Sequence, residues 1–128
     1  MLTKTNKEVV RLLQKQIDEH EIREVRGSKV TILFASRCGS TYLTSLINSL
    51  HKKDTIALEI FASDLLEEIK KSLNISIENY IKLLSDLNAK GVNLVMKINY
   101  YHYIQYKDIC EGLEELIFKD SELMRLTR

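Results

Sequence analysis

The run "KVTILFA", residues 29–35, limits the fold of this chain more than any other segment. Its residues are mostly apolar or β-branched, and apolar side chains occur at both odd and even positions. A strand with one solvated face alternates apolar and polar residues, whereas a strand of a parallel sheet is apolar on both faces because helices cover the sheet. The run therefore predicts a buried parallel strand and hence an α/β fold.

Segments on either side of this strand alternate between helical and extended patterns. The first helix is indicated by Val9, Leu12, Leu13 and Ile17, which fall on one helical face. This alternation predicts a parallel sheet with right-handed crossovers, covered by helices on both faces as a three-layer α/β domain. The predicted order is helix 5–24 within an N-terminal region 1–26, strand 29–35, helix 40–52, strand 55–60, helix 65–73, helix 77–89, strand 92–98, helix 106–117 and strand 122–127.

Two helix ends carry recognisable signals. Asp64 and Glu67 stand at the spacing of a capping box before the helix 65–73. Lys90 and Gly91 stand where a helix that begins near residue 77 is expected to end.

Size and charge exclude several classes of protein. The 128 residues, 45% of them hydrophobic, suit one packed domain over residues 1–128. A formal net charge of +1 gives no general field that would attract nucleic acid or an anionic membrane. The sequence has neither the apolar core of a signal peptide nor the apolar stretch of ~20 residues that a membrane span needs. Cys38 and Cys110 match no CxxC spacing, which suits free thiols in a reducing compartment. We therefore expect a cytoplasmic protein. The strand "ELMRLT" could offer a sheet edge to a partner strand, so the sequence is compatible with a homo-oligomer.

The turn that follows the first strand, residues 36–41 with the sequence "SRCGST", has the chemistry of an anion site. Amide groups at the start of the following helix lack intrahelical partners and lie at the positive end of its dipole. Gly39 permits the backbone to approach an anion closely, and Ser40 and Thr41 offer hydroxyl donors. The planar, charged guanidinium of Arg37 can bind an oxyanion through two hydrogen bonds. An ordinary turn, with Ser40 capping the helix and Arg37 in water, is the alternative.

Three known motifs fail when they are tested on this turn. Walker A requires a lysine after its second glycine, but Ser40 follows Gly39. A dinucleotide GxGxxG motif would need glycines where Arg37 and Tyr42 stand. A cysteine phosphatase loop built on Cys38 would need an arginine six positions later, where Thr44 stands, so Cys38 is best interpreted as a small loop residue.

Four segments in the correct order resemble sulfotransferases that use 3′-phosphoadenosine 5′-phosphosulfate. Residues 36–43, "SRCGSTYL", resemble the 5′-phosphosulfate-binding loop of carbohydrate and trehalose-sulfotransferase-like members, although the family usually has proline at Ser36 and serine or threonine at Cys38. "LEIF", "LVMKIN" and "LMRLTR" resemble later strand segments of that family, so the resemblance covers residues 30–128. It implies a P-loop-NTPase-like sulfotransferase topology. Family chains continue further, so we expect the fold to be incomplete at its C-terminus.

The resemblance also implies a donor, an acceptor and site residues. The donor is 3′-phosphoadenosine 5′-phosphosulfate without a metal, and the acceptor is a hydroxyl, such as that of a carbohydrate. Glu59 falls on a family glutamate at a strand end, where it could act as general base, with a solvated glutamate as the alternative. Lys97 ends the third strand and could face the donor or acceptor, or instead cover apolar surface. The candidate catalytic residues are Glu59, Arg37 and Lys97, and the candidate donor-binding residues are Arg37, Cys38, Gly39, Ser40, Thr41 and Arg128.

The tyrosine-rich segment "NYYHYIQY", residues 99–106, has two interpretations. Rings with polar ends could line a sugar or adenine pocket, or they could pack the start of a helix against the sheet. His20, His51 and His102 have no partners at ligand spacing, so we assign no metal.

Two other classes of function remain as alternatives to the sulfotransferase. One is a truncated or degenerate anion-binding or interaction domain without catalysis. The other is a diverged P-loop kinase, which would prefer ATP with Mg²⁺; no acidic metal-binding strand end clearly supports it.

Overall fold

The structure, a computed structural model, describes residues 4–19, 26–35 and 55–126. The predicted helix 40–52 and the end of the first predicted helix, residues 20–24, lie outside these ranges. The described elements, in chain order, are α1 (Lys4–Glu19), β1 (Lys29–Phe34), β2 (Thr55–Glu59), α2 (Ser63–Leu73), α3 (Ile77–Ala89), β3 (Asn93–Asn99), α4 (Tyr100–Tyr106), α5 (Leu113–Phe118) and β4 (Glu122–Leu126).

The strands form one parallel sheet, which confirms the α/β prediction. The strand order is β2-β3-β1-β4, and β1 pairs with both β3 and β4. Because all three pairings are parallel, the strands end at the same side of the sheet, which we call the carboxyl edge. Phe34, Glu59 and Asn99 are the last residues of β1, β2 and β3 at this edge.

The main hydrophobic core lies on one face of the sheet. Alternate strand residues point to the same face, and the core takes only one set from β2 and β3: Ile56, Leu58, Leu94, Met96 and Ile98. Side chains of all five described helices pack against them. Ile32, Phe34 and Val95, on the other face, are also buried but do not belong to this core. The helix 40–52, on which the expectation of a second helical layer depends, is outside the described residues.

Two polar side chains of β1 attach the core face of the sheet to the end of α5. The Lys29 ammonium donates to the carbonyls of Glu115 and Leu116, and the Thr31 hydroxyl donates to the carbonyl of Ile117 at 2.7 Å. The Leu116 and Ile117 carbonyls lie in the last turn, where intrahelical donors run out, so these contacts satisfy them; the Glu115 carbonyl also accepts from the Lys119 amide at 3.1 Å. Burial, followed by the nearby positive charge of Arg26, lowers the pKa of Lys29.

The amino-terminal ends of β1 and β3 are joined by a buried amide. The side-chain nitrogen of Asn88, which is 2% exposed, donates to the carbonyls of Gly27, Ser28 and Val92. The Gly27 amide donates to the Asn88 carbonyl at 2.8 Å. Asn88 therefore fixes the end of α3 to the start of β1.

The ends of two helices test the sequence signals. Ser76 caps α3 by accepting a hydrogen bond from the Asn79 amide, and α3 ends at Ala89 with Lys90 as its C-cap and Gly91 at a φ of +110°, as predicted. The prediction of a capping box at the start of α2 was wrong. The N-cap of α2 is Ala62, which has no side-chain acceptor, so Asp64 lies within the first helical turn.

The predicted helix 106–117 was also wrong. The chain forms α4 over Tyr100–Tyr106 and α5 over Leu113–Phe118, with a turn between them. Gly112 has a φ of +86°, a conformation that cannot continue a right-handed helix.

The buried hydroxyl of Tyr80 makes the fold sensitive to alkaline pH. Tyr80 is fully buried, its hydroxyl donates to the Ile60 carbonyl at 2.9 Å, and burial raises its pKa above the ordinary value of 10.0. Burial is also the main cause that raises the pKa of Tyr103 and of Cys110. Above the ordinary pKa of these groups the unfolded chain loses protons that the folded chain retains, so stability falls as pH rises.

We expect the free energy of unfolding to decrease above about pH 9, and Tyr80→Phe to make that decrease shallower. At pH 11 the phenol of Tyr80 accounts for a loss of about 1.4 kcal/mol, if its unfolded pKa is about 10. Urea unfolding at pH 8, 9.5 and 11 measures the slope, and Tyr101→Phe, at a ring that is 72% exposed, is the matched control. The lowered pKa of Lys29 makes stability rise with pH. This contribution is the same in every variant, so it does not affect the comparison. Identical slopes for wild type and Tyr80→Phe would contradict the expectation.

Candidate functional site

The strand order places a topological switch point at the carboxyl edge, between β1 and β3, where a ligand-binding crevice is expected. The chain leaving β1 next enters β2, which lies beyond β3, whereas the chain leaving β3 next enters β4, which lies beyond β1. The two connections thus run in opposite directions from neighbouring strands. Open α/β sheets bind ligands outside the carboxyl ends of the strands at such a switch point. The ends of β1 and β3, Phe34 and Asn99, are aligned with each other there.

An ion pair between Glu59 and Lys97 lies beside this crevice. The two residues are aligned in the pairing of β2 with β3, so their side chains lie on the same face of the sheet. The Lys97 ammonium nitrogen is 3.1 Å from Oε1 of Glu59, and the exposed fractions of the two side chains are 10% and 31%. The lysine is therefore nearly enclosed, while about a third of the Glu59 side chain stays exposed.

Backbone hydrogen bonds hold Glu59 in place at the end of β2. The Ile60 amide donates to the carbonyl of Lys97 at 3.0 Å, which extends the pairing one residue beyond β2. The Ala62 amide donates to the carbonyl of Glu59 at 3.2 Å and turns the chain into α2. The position of this carboxylate is thus set by the sheet.

The ring of Phe34 forms a second contact of the Lys97 ammonium. The ammonium nitrogen lies 5.0 Å from the ring centroid, and Phe34 is 8% exposed. A cation above an aromatic face at this distance is attracted by the ring quadrupole. Sequence reasoning missed Phe34, because an apolar residue at the end of a strand shows its contact with a lysine only when the strand order is known.

The helix α4 begins at the carboxyl edge, immediately after the end of β3. Asn99 caps α4 by accepting a hydrogen bond from the Tyr101 amide at 2.9 Å. Tyr100 and Tyr101 are 48% and 72% exposed, and their ring centroids lie 6.3 Å apart. Nδ1 of His102 is buried and has no hydrogen-bond partner among the residues that the structure describes. Exposed aromatic surface therefore begins three residues after Lys97 along the chain.

The structure brings together two of the predicted site residues, Glu59 and Lys97. The remaining candidates, Arg37, Cys38, Gly39, Ser40, Thr41 and Arg128, are outside the described residues. Comparison of this chain with protein-family models, curated proteins and solved structures found no match.

An apolar depression of the described surface lies among the helices. It measures about 500 Å³ and is bounded by α2, the start of α3 and the turn after α4, with Cys110 in its lining. Burial, followed by the negative charge of Glu78, raises the pKa of the Cys110 thiol. The thiolate is the nucleophilic form, so this cysteine is poorly suited to covalent chemistry.

The described residues also bear on metals and membranes. Within residues 4–19, 26–35 and 55–126, no three His, Cys, Asp or Glu side chains converge in a way that could hold a metal ion. No helix in those ranges combines the length and the apolar character of a membrane span.

Proposed function

We propose that this chain is a sulfotransferase-like domain, with a P-loop-NTPase-like topology, that binds the 5′-phosphosulfate of 3′-phosphoadenosine 5′-phosphosulfate. The acceptor is a hydroxyl, such as that of a carbohydrate. The observation that carries the proposal is the Glu59 carboxylate, held by Lys97 and about one-third exposed, beside the topological switch point of the sheet. The resemblance of residues 36–43 to the family's donor loop supports it, since this segment directly follows β1.

Glu59 has the chemistry required for the base in this reaction. A hydroxyl is a poor nucleophile until a base takes its proton, and a positioned carboxylate can do so within hydrogen-bond reach. The acceptor oxygen forms a bond to sulfur, the bond between sulfur and the phosphate oxygen of the donor breaks, and the hydroxyl proton passes to Glu59. The nucleotide leaves as adenosine 3′,5′-bisphosphate.

Arg37 and the donor-loop residues have the second role in the proposal. Negative charge develops on the sulfuryl oxygens and on the leaving phosphate, and fixed donors and cations stabilise such charge best when they are already in place. Arg37, Ser40, Thr41 and the backbone amides near Gly39 would supply these donors. Cys38 lies in the same loop, and Arg128 would contribute a cation for the 3′-phosphate.

A non-catalytic anion-binding or interaction domain is the second candidate function. It is favoured by the ion pair itself, because a carboxylate that already binds an ammonium also stabilises the sheet without chemistry. The two candidates differ in transfer activity and agree on anion binding.

The proposal is tested first by titrating the protein calorimetrically with adenosine 3′,5′-bisphosphate. We expect this nucleotide to bind more tightly than ADP or sulfate, and Arg37→Ala to weaken its binding by about 10- to 100-fold, the usual effect of removing one charged hydrogen-bond donor. Lys82→Ala, which removes an exposed positive charge from α3, is the matched control and should leave the affinity unchanged.

Each other outcome of this titration has a definite meaning. Equal binding of the nucleotide by wild type and Arg37→Ala would remove Arg37 from the site. Preference for ADP with Mg²⁺ would favour the kinase alternative, and no binding of any anion would contradict the proposal.

A further inference from the structure

The contacts of Lys97 determine what this lysine can do in the crevice. Its side chain is only 10% exposed, and its ammonium lies against the Glu59 carboxylate on one side and the Phe34 ring on another. An ammonium enclosed in this way is poorly placed to meet an acceptor or donor directly. It is well placed to fix the carboxylate that does.

We infer that Phe34 is a positioning residue: its ring fixes the Lys97 ammonium, which in turn orients the Glu59 carboxylate toward the acceptor hydroxyl. This inference rests on the proposed function, because Phe34 is argued to act on the proposed base, Glu59, through Lys97. It also revises the expected role of Lys97 from direct contact with substrate to action through Glu59.

Sheet geometry explains why Phe34 occupies this place. Ile32 is aligned with Lys97, and Phe34 lies two residues further along β1. Residues two apart on a strand share a face, so the ring of Phe34 lies on the face that carries Lys97, one position nearer the carboxyl edge. A lysine stem leaning toward this edge brings its ammonium over the ring, at the observed 5.0 Å.

The ring does more than fill space beside the ammonium. An aliphatic side chain of similar size offers no quadrupole, so the ammonium would lose an attraction that holds it in one place. Lysine has four rotatable side-chain bonds, so its ammonium can take several positions when the ring is removed. A carboxylate bound to a more mobile ammonium is itself less well oriented. A general base that is displaced from its reactive geometry loses rate without necessarily losing substrate affinity.

The kinetic test compares Phe34→Leu, which removes the ring, with Phe34→Tyr, which keeps it. We expect Phe34→Leu to lower kcat by about tenfold, in line with a partly buried cation–π contact. The KM for the sulfuryl donor should stay within about twofold, because the donor is held by other groups. Phe34→Tyr should restore most of kcat.

The matched control for packing is Ile98→Val. Ile98 is fully buried on β3 beside Lys97, but it lies on the opposite face, in the main core. We expect this variant to lower the thermal stability with little change in kcat. If kcat falls in proportion to stability in both Ile98→Val and Phe34→Leu, the loss of kcat in Phe34→Leu is explained by packing alone. That result would contradict the inference.

A spectroscopic readout tests the contact without any need for activity. A ring face shifts the resonances of nuclei above it upfield, so the Cε protons of Lys97 should be shifted upfield in wild type and in Phe34→Tyr. This shift should be lost in Phe34→Leu, and unchanged in Ile98→Val. Lys97 resonances that are the same in wild type and Phe34→Leu would overturn the inference by themselves.

Failure of this inference is distinguishable from failure of the proposed function. If wild type transfers sulfuryl groups and Phe34→Leu transfers them with the same kcat, the inference is wrong and the proposed function stands. If wild type shows no transfer with any carbohydrate acceptor, the proposed activity is contradicted, and with it the positioning role.

Discussion

Replacing Glu59 by glutamine lowers kcat for sulfuryl transfer by about 100- to 10,000-fold, if Glu59 is the general base. Glutamine keeps the shape of the side chain and can still accept a hydrogen bond from the Lys97 ammonium, so the positions of β2 and β3 are preserved. It cannot take the proton of the acceptor hydroxyl. Initial rates of transfer of labelled sulfate from 3′-phosphoadenosine 5′-phosphosulfate to carbohydrate hydroxyls, at saturating donor, measure the effect.

The matched control is Glu122→Gln. Glu122 is an exposed carboxylate at the start of β4, two strands away from Lys97, and we expect full activity in this variant. Thermal unfolding of both variants separates a loss of chemistry from a loss of fold. Wild-type activity in Glu59→Gln would remove Glu59 as the base. Tight nucleotide binding without transfer by wild type would favour the non-catalytic candidate.

The parallel sheet could be predicted because its physical cause is local in the sequence. Strands covered by helices are mostly apolar on both faces, and "KVTILF" and "NLVMKI" carry that pattern over most of their length. The end of α3 was equally readable, because Gly91 adopts a positive φ that glycine reaches at little cost. Each of these features depends on residues within a few positions of one another.

The helix predicted over residues 106–117 shows how a periodic pattern can mislead. Tyr106 and Cys110 keep helical spacing, and the Cys110 amide indeed donates to the Tyr106 carbonyl at 2.9 Å. That bond closes a single turn after α4. Gly112 then reverses the backbone, and Leu113 begins a separate helix that packs into the same core. The apolar periodicity reports which residues are buried, and it does not require one continuous helix to bury them.

The candidate site was only partly predictable from the sequence. Glu59 and Lys97 could be expected at one edge of the sheet, because both stand at the ends of strands. Their contact depends on the pairing of β2 with β3 in a register that aligns the two residues. Phe34 depends in addition on β1 being the other neighbour of β3. Strand order arises from long-range packing, so no local pattern contained it.

Gly27→Ala should destabilise the fold by about 3 kcal/mol, because a side chain has no room at this position. A Cβ on Gly27 would lie 2.1 Å from the carbonyl oxygen of Val92, which is backbone and cannot rotate away. To relieve that overlap the start of β1 must move away from the chain entering β3, which weakens the hydrogen bonds of Gly27 with Asn88. Overpacking costs about 1–3 kcal/mol, and each weakened hydrogen bond adds about 1 kcal/mol.

Urea unfolding followed by circular dichroism measures the change, and Gly112→Asn is the matched control. Nothing lies within 4 Å of a Cβ at Gly112, and its φ of +86° is near the left-handed conformation that asparagine tolerates better than most residues. The left-handed conformation strains any residue with a Cβ, so we expect the control to lose about 1 kcal/mol. Equal losses in the two variants would mean that backbone flexibility, and not the close approach to Val92, determines the cost at Gly27. A larger loss at Gly27 would show that the chain entering β3 approaches the start of β1 too closely to admit a side chain.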